Sequence, residues 1–212
     1  MAKSDKRRMV LSVAACFIPT LVGLCLLKRL PDELAVHFGF DGTPDSWWPT
    51  WVAILVLPAM LAGINLICLA ATFGSSSRTN ISPVVQRILF WLVPVMDNVV
   101  MATLYLIAMG QPVSVSMVCM FLIGILLVVL GNYMGKVKQN PFVGFRTGRT
   151  LSDPENWIRT NRVGGFGMVV SGIVMMAAGI INTNTAFIAA FGFMALATVI
   201  VPLMYSARIA KK

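Results

Sequence analysis

The sequence predicts an all-α integral membrane protein with six transmembrane helices and both termini in the cytoplasm. Three observations carry this reading. First, the 212 residues are 58% hydrophobic and only 12% charged, with a mean hydropathy of +0.82, whereas soluble domains hold about 25% charged residues. Second, six apolar runs, at about 9–27, 51–73, 88–109, 113–134, 163–181 and 186–206, each approach the roughly 20 helical residues that cross a hydrocarbon core. They lack the alternation of a spanning strand. Third, the cations sort to one face. The runs and their links use up the chain, so residues 1–212 are expected to form one membrane domain. Two polar segments stand out, 28–50 and 131–162.

The first run begins like a secretory signal, with Lys3, Lys6, Arg7 and Arg8 ahead of an apolar core. That core outlasts a signal's apolar region, and Leu26-Leu27-Lys28-Arg29 is no small-residue cleavage site, so a retained first helix is expected. Pro19, Pro58, Pro94 and Pro202 lie within runs. Membrane helices tolerate proline when neighbours satisfy the carbonyls it frees, and kinks are expected there. Cys16, Cys25, Cys68 and Cys119 all lie in apolar runs without a CxxC pair, which points to packing.

Charge sets the orientation. The N-terminus, the 74–87 link, the 135–162 loop and the tail together hold 15 of the 17 Lys/Arg, leaving only Lys28 and Arg29 for the opposite face. Lys/Arg-rich loops are cytoplasmic, so the 28–50 segment should face outward and the 131–162 segment inward. Topology and anionic lipid headgroups thus account for the formal charge of +9. No basic folded module for nucleic acid is visible.

In the third run, Asp97 beside Asn98 falls near mid-bilayer. A charge there costs roughly 2.5–3.5 kcal/mol on insertion scales, so Asp97 should face the bundle interior. It is expected either to tie its helix to Ser114, Ser116 or a freed proline carbonyl, or to contact an ion, proton or ligand. In the fifth run, Gly167 and Ser171 form a small-xxx-small pair, extended by Gly172 and Gly179, and suit close helix packing.

The 28–50 segment holds the single histidine and four of the eight acids. Val36, Phe38 and Phe40 alternate with His37 and Gly39, a short strand pattern, and Asp41-Gly42 and Pro44-Asp45 supply turn chemistry. A small ordered cap with a hairpin-like bend is expected. Three roles remain open for its polar set. His37 with Asp32, Asp41 and Asp45 could simply hold the cap together. With Phe38, Phe40 and Trp47 they could bind a peptide. A metal or catalytic site would need a ligand spacing or a paired nucleophile that the segment lacks. No cofactor is expected.

In the 131–162 segment, Lys136 and Lys138 flank the end of the fourth helix and complement its dipole and the anionic leaflet. Ser152 is expected to cap a short interfacial helix, with Pro154 in its first turn and Glu155 at the third position, running through Trp157 to Arg162. An interfacial elbow pairing its arginines with lipid phosphates would explain the charge. It would not require this order of Gly, Asn, Pro and Thr.

That order, Gly131-Asn132-Tyr133, Lys136-Val137-Lys138, Asn140-Pro141-Phe142-x-Gly144-x-Arg146-Thr147, Thr150-Leu151, Trp157 and Thr160-x-Arg162, resembles the SdpI-type immunity proteins. These are bacterial membrane proteins that protect a cell from a secreted toxin peptide made by its own kind. The outward segment is similar to a companion motif of that family, through Leu30-Pro31-Asp32, His37, Gly42 and Pro44-Asp45-x-Trp47. Three departures are visible: Gly148-Arg149 stands where relatives usually have Pro and an aromatic, Asn161 where His is usual, and Ala35 where Pro is typical. The resemblance implies a plasma-membrane immunity protein whose partners are a secreted peptide, lipids and a cytoplasmic regulator reading the inward loop. A signalling receptor without immunity is the main alternative. A transporter would show inverted repeats and several buried ionisable groups, and an enzyme a nucleophile beside a base.

Overall fold

The computed structural model describes residues 3–39, 41–73, 82–140 and 142–209, with side chains from residue 5; Phe40, Pro141 and Arg78 lie outside them. Six helices are long and apolar enough to cross a membrane: Asp5–Leu26, Thr50–Phe73, Pro83–Ala108, Val115–Met134, Pro154–Ile181 and Asn184–Ile209. The chain divides into two compact units, Met1–Ser76 with Gln86–Val115, and Ser77–Val85 with Ser116–Lys212.

In the first unit, the opening span is two helices, α1 (Lys3–Ala15) and α2 (Ile18–Leu26). The break is local chemistry. Pro19 has no N–H to return to Ala15 O, and around the break the Cys16 and Phe17 amides reach back only three residues, to Val13 O and Ala14 O. Then come β1 (Glu33–Phe38), β2 (Pro44–Pro49), α3 (Thr50–Phe73) and α4 (Pro83–Ala108). Pro58 and Pro94 lie inside α3 and α4 and likewise strip the donors from Ile54 O and Phe90 O.

Each of these three carbonyls is taken by a side chain from another span. Asn98 Nδ2 donates to Ala15 O at 3.1 Å, Thr20 Oγ1 to Ile54 O at 2.9 Å, and Ser12 Oγ to Phe90 O. Tyr105 Oη adds a bond to Pro19 O at 2.8 Å. The expectation that neighbours satisfy the prolines holds at all three positions.

The core sits at two levels. Leu34 from β1 packs with Ala53 and Ile54 of α3 and Met101, Leu104 and Tyr105 of α4. Further along, Phe73 and Phe90 stack with ring centroids 4.5 Å apart, beside Leu69 and Met9. Cys16 is buried, whereas Cys25 and Cys68, and Cys119 of the second unit, are exposed; all four are free thiols.

The second unit contains α5 (Val115–Met134), α6 (Gly148–Ser152), α7 (Pro154–Ile181), α8 (Asn184–Ala195), a π-helical turn (Leu196–Ile200) and α9 (Val201–Ile209). Pro202, at the start of α9, again lacks the N–H that an α-helix would return to Thr198 O, and the widened turn lies directly before it, with Val201 N bonding back to Leu196 O.

Helix α7 is the hub. Its buried residues recur every three or four positions, from Asn156 and Trp157 through Gly164, Gly165, Met168, Gly172 and Met175 to Gly179. Against α5, backbones meet directly: a Cβ at Gly131 would lie 2.6 Å from Gly165 O, and one at Gly124 2.7 Å from Gly172 O. The expected small-residue surface is closely packed: Gly172 faces Gly124, Gly179 lies against Met120, and Ser171 is buried. Gly167 makes its close approach to Ala197 of the π-helical turn instead of α5, and Gly165, Gly131 and Gly124 extend the seam with α5.

Two expectations need correction. Residues 154–162 do not form a separate interfacial helix, because α7 runs unbroken from Pro154 to Ile181. Ser152 is not its cap either: Asp153 is, accepting from Glu155 N at 2.9 Å, and Ser152 closes the short α6.

Overpacking a glycine seam typically costs about 1–3 kcal/mol. Gly165→Val, whose Cβ would meet Gly131 O at 2.7 Å, should therefore lower the thermal midpoint in detergent micelles, whereas Gly148→Ala, with open space around it, should leave it unchanged.

Candidate functional site

Two polar elements and one buried cluster hold the chemistry. The 28–50 segment is a two-stranded antiparallel hairpin, pairing Glu33 with Pro49, Leu34 with Trp48, Ala35 with Trp47, His37 with Ser46 and Phe38 with Pro44. The strand starts earlier than the Val36-Phe38-Phe40 alternation indicates, and the register breaks around Val36 and again between His37 and Phe38. Leu34, Val36, Phe38 and Trp48 turn to the core. His37, Asp45 and Trp47 occupy the exposed face, as do Asp32 and Asp41. Thr50, at the start of α3, clamps the hairpin base: its N donates to Asp32 O at 2.9 Å and its Oγ1 to Pro31 O at 2.5 Å.

On the exposed face, His37 Nδ1 lies 2.6 Å from Asp45 Oδ1 across the strands. Such exposed pairs stabilise by less than about 1 kcal/mol, so this one orients the imidazole more than it holds the fold. Asp41 is engaged elsewhere, accepting from Thr43 Oγ1 at 2.7 Å and Thr43 N at 3.0 Å while Gly42 turns the chain at φ 78°. Among the described residues, no three His, Cys, Asp or Glu side chains converge as metal ligands.

In the elbow, the polar residues of the motif fall into two sets. One set is consumed internally. Asn140 Oδ1 accepts from Phe142 N and Val143 N, each at 2.8 Å, while its Nδ2 donates to Lys138 O. Thr147 and Thr150 form a reciprocal capping box at the start of α6. Trp157 Nε1 donates to Val137 O at 2.8 Å, and Gly144 (φ 130°) lies over the indole, where a Cβ would come within 2.7 Å. Asn161 Oδ1 accepts from Phe145 N at 2.9 Å while its Nδ2 donates to Trp157 O. Asn156 reaches Ser206 of α9 twice, Nδ2 to O at 3.0 Å and Oδ1 from Oγ at 2.8 Å.

The second set, Asn132, Lys136, Lys138, Arg146 and Arg162, is exposed. Three of them, Asn132, Lys136 and Arg162, line a groove of about 330 Å³ with Gly131, Gly135 and Gly165. Sequence reasoning missed Gln139, whose Nε2 bonds Thr150 O and Leu151 O at 2.8 Å, and Asn156.

Inside the first unit, Asp97 is fully buried and its carboxyl oxygens have no hydrogen-bond partner among the described residues. The expected tie from Asp97 to Ser114, Ser116 or a freed proline carbonyl is therefore not made, because Ser12, Thr20 and Asn98 take those carbonyls. Asn98 also bonds Pro94 O at 2.8 Å.

These features define a six-span membrane protein with an ordered hairpin and an ordered basic elbow. Residues 136–206 match the SdpI/YfhL protein family, and residues 14–62 a domain of unknown function (DUF1648). The chain is 23% identical over 176 residues, 80% of either chain, to Immunity protein SdpI of Bacillus subtilis (strain 168). No solved structure matches it. Together these findings support an SdpI-like family for this chain, the family its motifs resemble.

The hairpin turn should respond to acid. The hydrogen bonds from Thr43 hold the Asp41 carboxyl below the usual carboxylate range. They favour the ionised form, so their contribution is complete above the unfolded-state value and is lost as pH falls through the lower folded-state value. In an NMR titration Asp41 should ionise below an ordinary aspartate, and Thr43→Val should return it upward.

Proposed function

We propose that this protein is a membrane immunity protein that protects the bacterium making it by binding or neutralising a secreted antimicrobial peptide. The hairpin faces outward and captures the peptide, and both termini and the elbow lie in the cytoplasm. The observation that carries the reading is the coverage of the matches. One takes in the hairpin, the other the elbow, and the relative that spans 80% of the chain is itself named an immunity protein. The exposed face of the hairpin supports it: His37, Asp45 and Trp47, each half exposed or more, give a peptide both polar partners and an aromatic surface. The positive-inside distribution of Lys and Arg supports the orientation.

The elbow favours a second role within the same protein. Its fold is stabilised by buried amides, hydroxyls and an indole, which leaves Lys136, Lys138, Arg146 and Arg162 exposed on an ordered scaffold. That presentation suits contact with anionic lipid and with a cytoplasmic regulator that reads peptide occupancy.

Expression in a sensitive cell should restore growth in the presence of a peptide encoded beside the gene. Trp47→Ala with His37→Ala should reduce protection by about tenfold, the scale of one lost hot-spot contact, at unchanged membrane abundance. Arg146→Gln with Lys138→Gln should spare protection and abolish regulator recruitment. Killing that continues unchanged with every such peptide removes the immunity reading. Cysteine labelling of intact cells should modify a probe at residue 41 and spare one at residue 146, and the reverse pattern inverts the orientation.

A further inference from the structure

The first unit contains an imbalance of donors and acceptors that the proposed immunity role does not use. Asp97 on α4 is 0% exposed and Asn65 on α3 is 1% exposed. Three of their oxygens, both carboxyl oxygens of Asp97 and Oδ1 of Asn65, accept no hydrogen bond from any described residue. The polar side chains around them spend hydrogens on other acceptors. Asn65 Nδ2 donates to Ser12 Oγ at 2.7 Å and Ser12 Oγ passes its own hydrogen to Phe90 O. Cys16 Sγ donates to Ser12 O, Asn98 Nδ2 to Ala15 O and Pro94 O, and Tyr105 Oη to Pro19 O. Two of these acceptors, Ala15 O and Phe90 O, are proline-freed carbonyls, and two more are the carbonyls of Pro19 and Pro94 themselves, so the proline sites draw local donors away from Asp97.

No cation compensates. Among the described residues, the titratable groups that feel the Asp97 charge are Cys16 of the first span and Tyr105 of α4, and α3 brings the neutral Asn65, bonded to Ser12 one turn before Cys16. No Lys, Arg or His among the described residues pairs with the carboxyl. An ionised carboxylate in that position would be an uncompensated buried charge, the costliest state for a side chain inside a bilayer.

We propose that Asp97 is a proton-binding site, held as the neutral acid in the folded protein, its O–H supplying the donor that the Asn65 carbonyl oxygen lacks. One added proton converts one of the three unsatisfied acceptors into a donor and gives a second its partner, linking α4 to α3, with the first span already fastened to both through Ser12. Loss of that proton places a bare negative charge where these helices meet, so the packing of the hairpin-bearing unit depends on protonation. The assignment is independent of the immunity reading.

The full chain in lipid bilayers should show the carbonyl stretch of a protonated carboxylic acid in its infrared spectrum at neutral pH, shifted by deuterium oxide and absent in Asp97→Asn. Asn65→Leu, which removes the acceptor, should move that band toward the frequency of a free acid. No acid band at neutral pH, or a band that survives Asp97→Asn, overturns the proposal. Unfolding in mixed micelles gives a second measurement. Folding takes up one proton, so stability falls as pH rises, and the unfolding constant of the wild type should increase about tenfold per pH unit through its titration. Asp97→Asn should remove that dependence, and equal slopes in the two proteins overturn the proposal. Stability that rises with sodium at constant pH would put a metal cation in the site instead, and would overturn it equally.

Discussion

A carbonyl stripped of its donor inside hydrocarbon is the constraint on which the first unit depends. Water is not available there, so each freed oxygen must find a protein donor or destabilise the helix by several kcal/mol. Pro19, Pro58 and Pro94 each create one, and Asn98, Thr20 and Ser12 answer from a different span. The defect in one helix thereby becomes a specific link to another. In a bilayer, where apolar association between helices is weak, such links fix which faces meet. They explain why polar residues sit at 12, 20 and 98 in runs that are otherwise apolar, and they position the end of the bundle on which Leu34 of the hairpin packs.

The elbow meets the same demand by other means. Its backbone is irregular between Met134 and Pro154 apart from the short α6, so its amides need partners that regular structure would have supplied. Asn140, Thr147, Thr150, Trp157 and Asn161 provide them, and all but Thr147 are buried. A motif that looks like a recognition sequence thus contains, in its neutral members, mostly the loop's own internal wiring. Its charged members, with Asn132, are exposed in a way that could meet lipid or protein.

Much of the fold was legible because hydropathy and length measure the property that a bilayer selects. The six spans were expected within a few residues, except at the fifth. There the reading began the span at 163, since Glu155, Arg159 and Arg162 lower the local hydropathy. The helix nevertheless starts at Pro154, because Asn156, Trp157, Thr160 and Asn161 lie on its buried side while Glu155 and Arg159 pair on the exposed one. An average over a window cannot see which side a charge is on.

The hairpin was readable from its turn residues, but its strand was placed late: Leu34 is the residue that anchors it, and the run Leu34-Ala35-Val36 shows no alternation to mark it as a strand. Gly167, Ser171, Gly172 and Gly179 were legible as a packing surface, but spacing alone does not say which neighbour a glycine faces, and Gly167 meets Ala197 where Gly172 meets Gly124. Asn65 went unnoticed altogether. A search for polar residues inside spans, matched against carbonyls four positions before each proline, would have found Ser12, Thr20 and Asn98, and through Ser12 would have led to Asn65.

The seam between α5 and α7 also bears on how this chain can change over time. Where Gly131 faces Gly165 and Gly124 faces Gly172, backbone lies against backbone and no rotamer is available to absorb an added atom. A larger residue at any of the four cannot be rescued by shrinking its opposite, which is already as small as a residue can be. Divergent descendants can redraw the exposed face of the hairpin long before they can alter this line of contact.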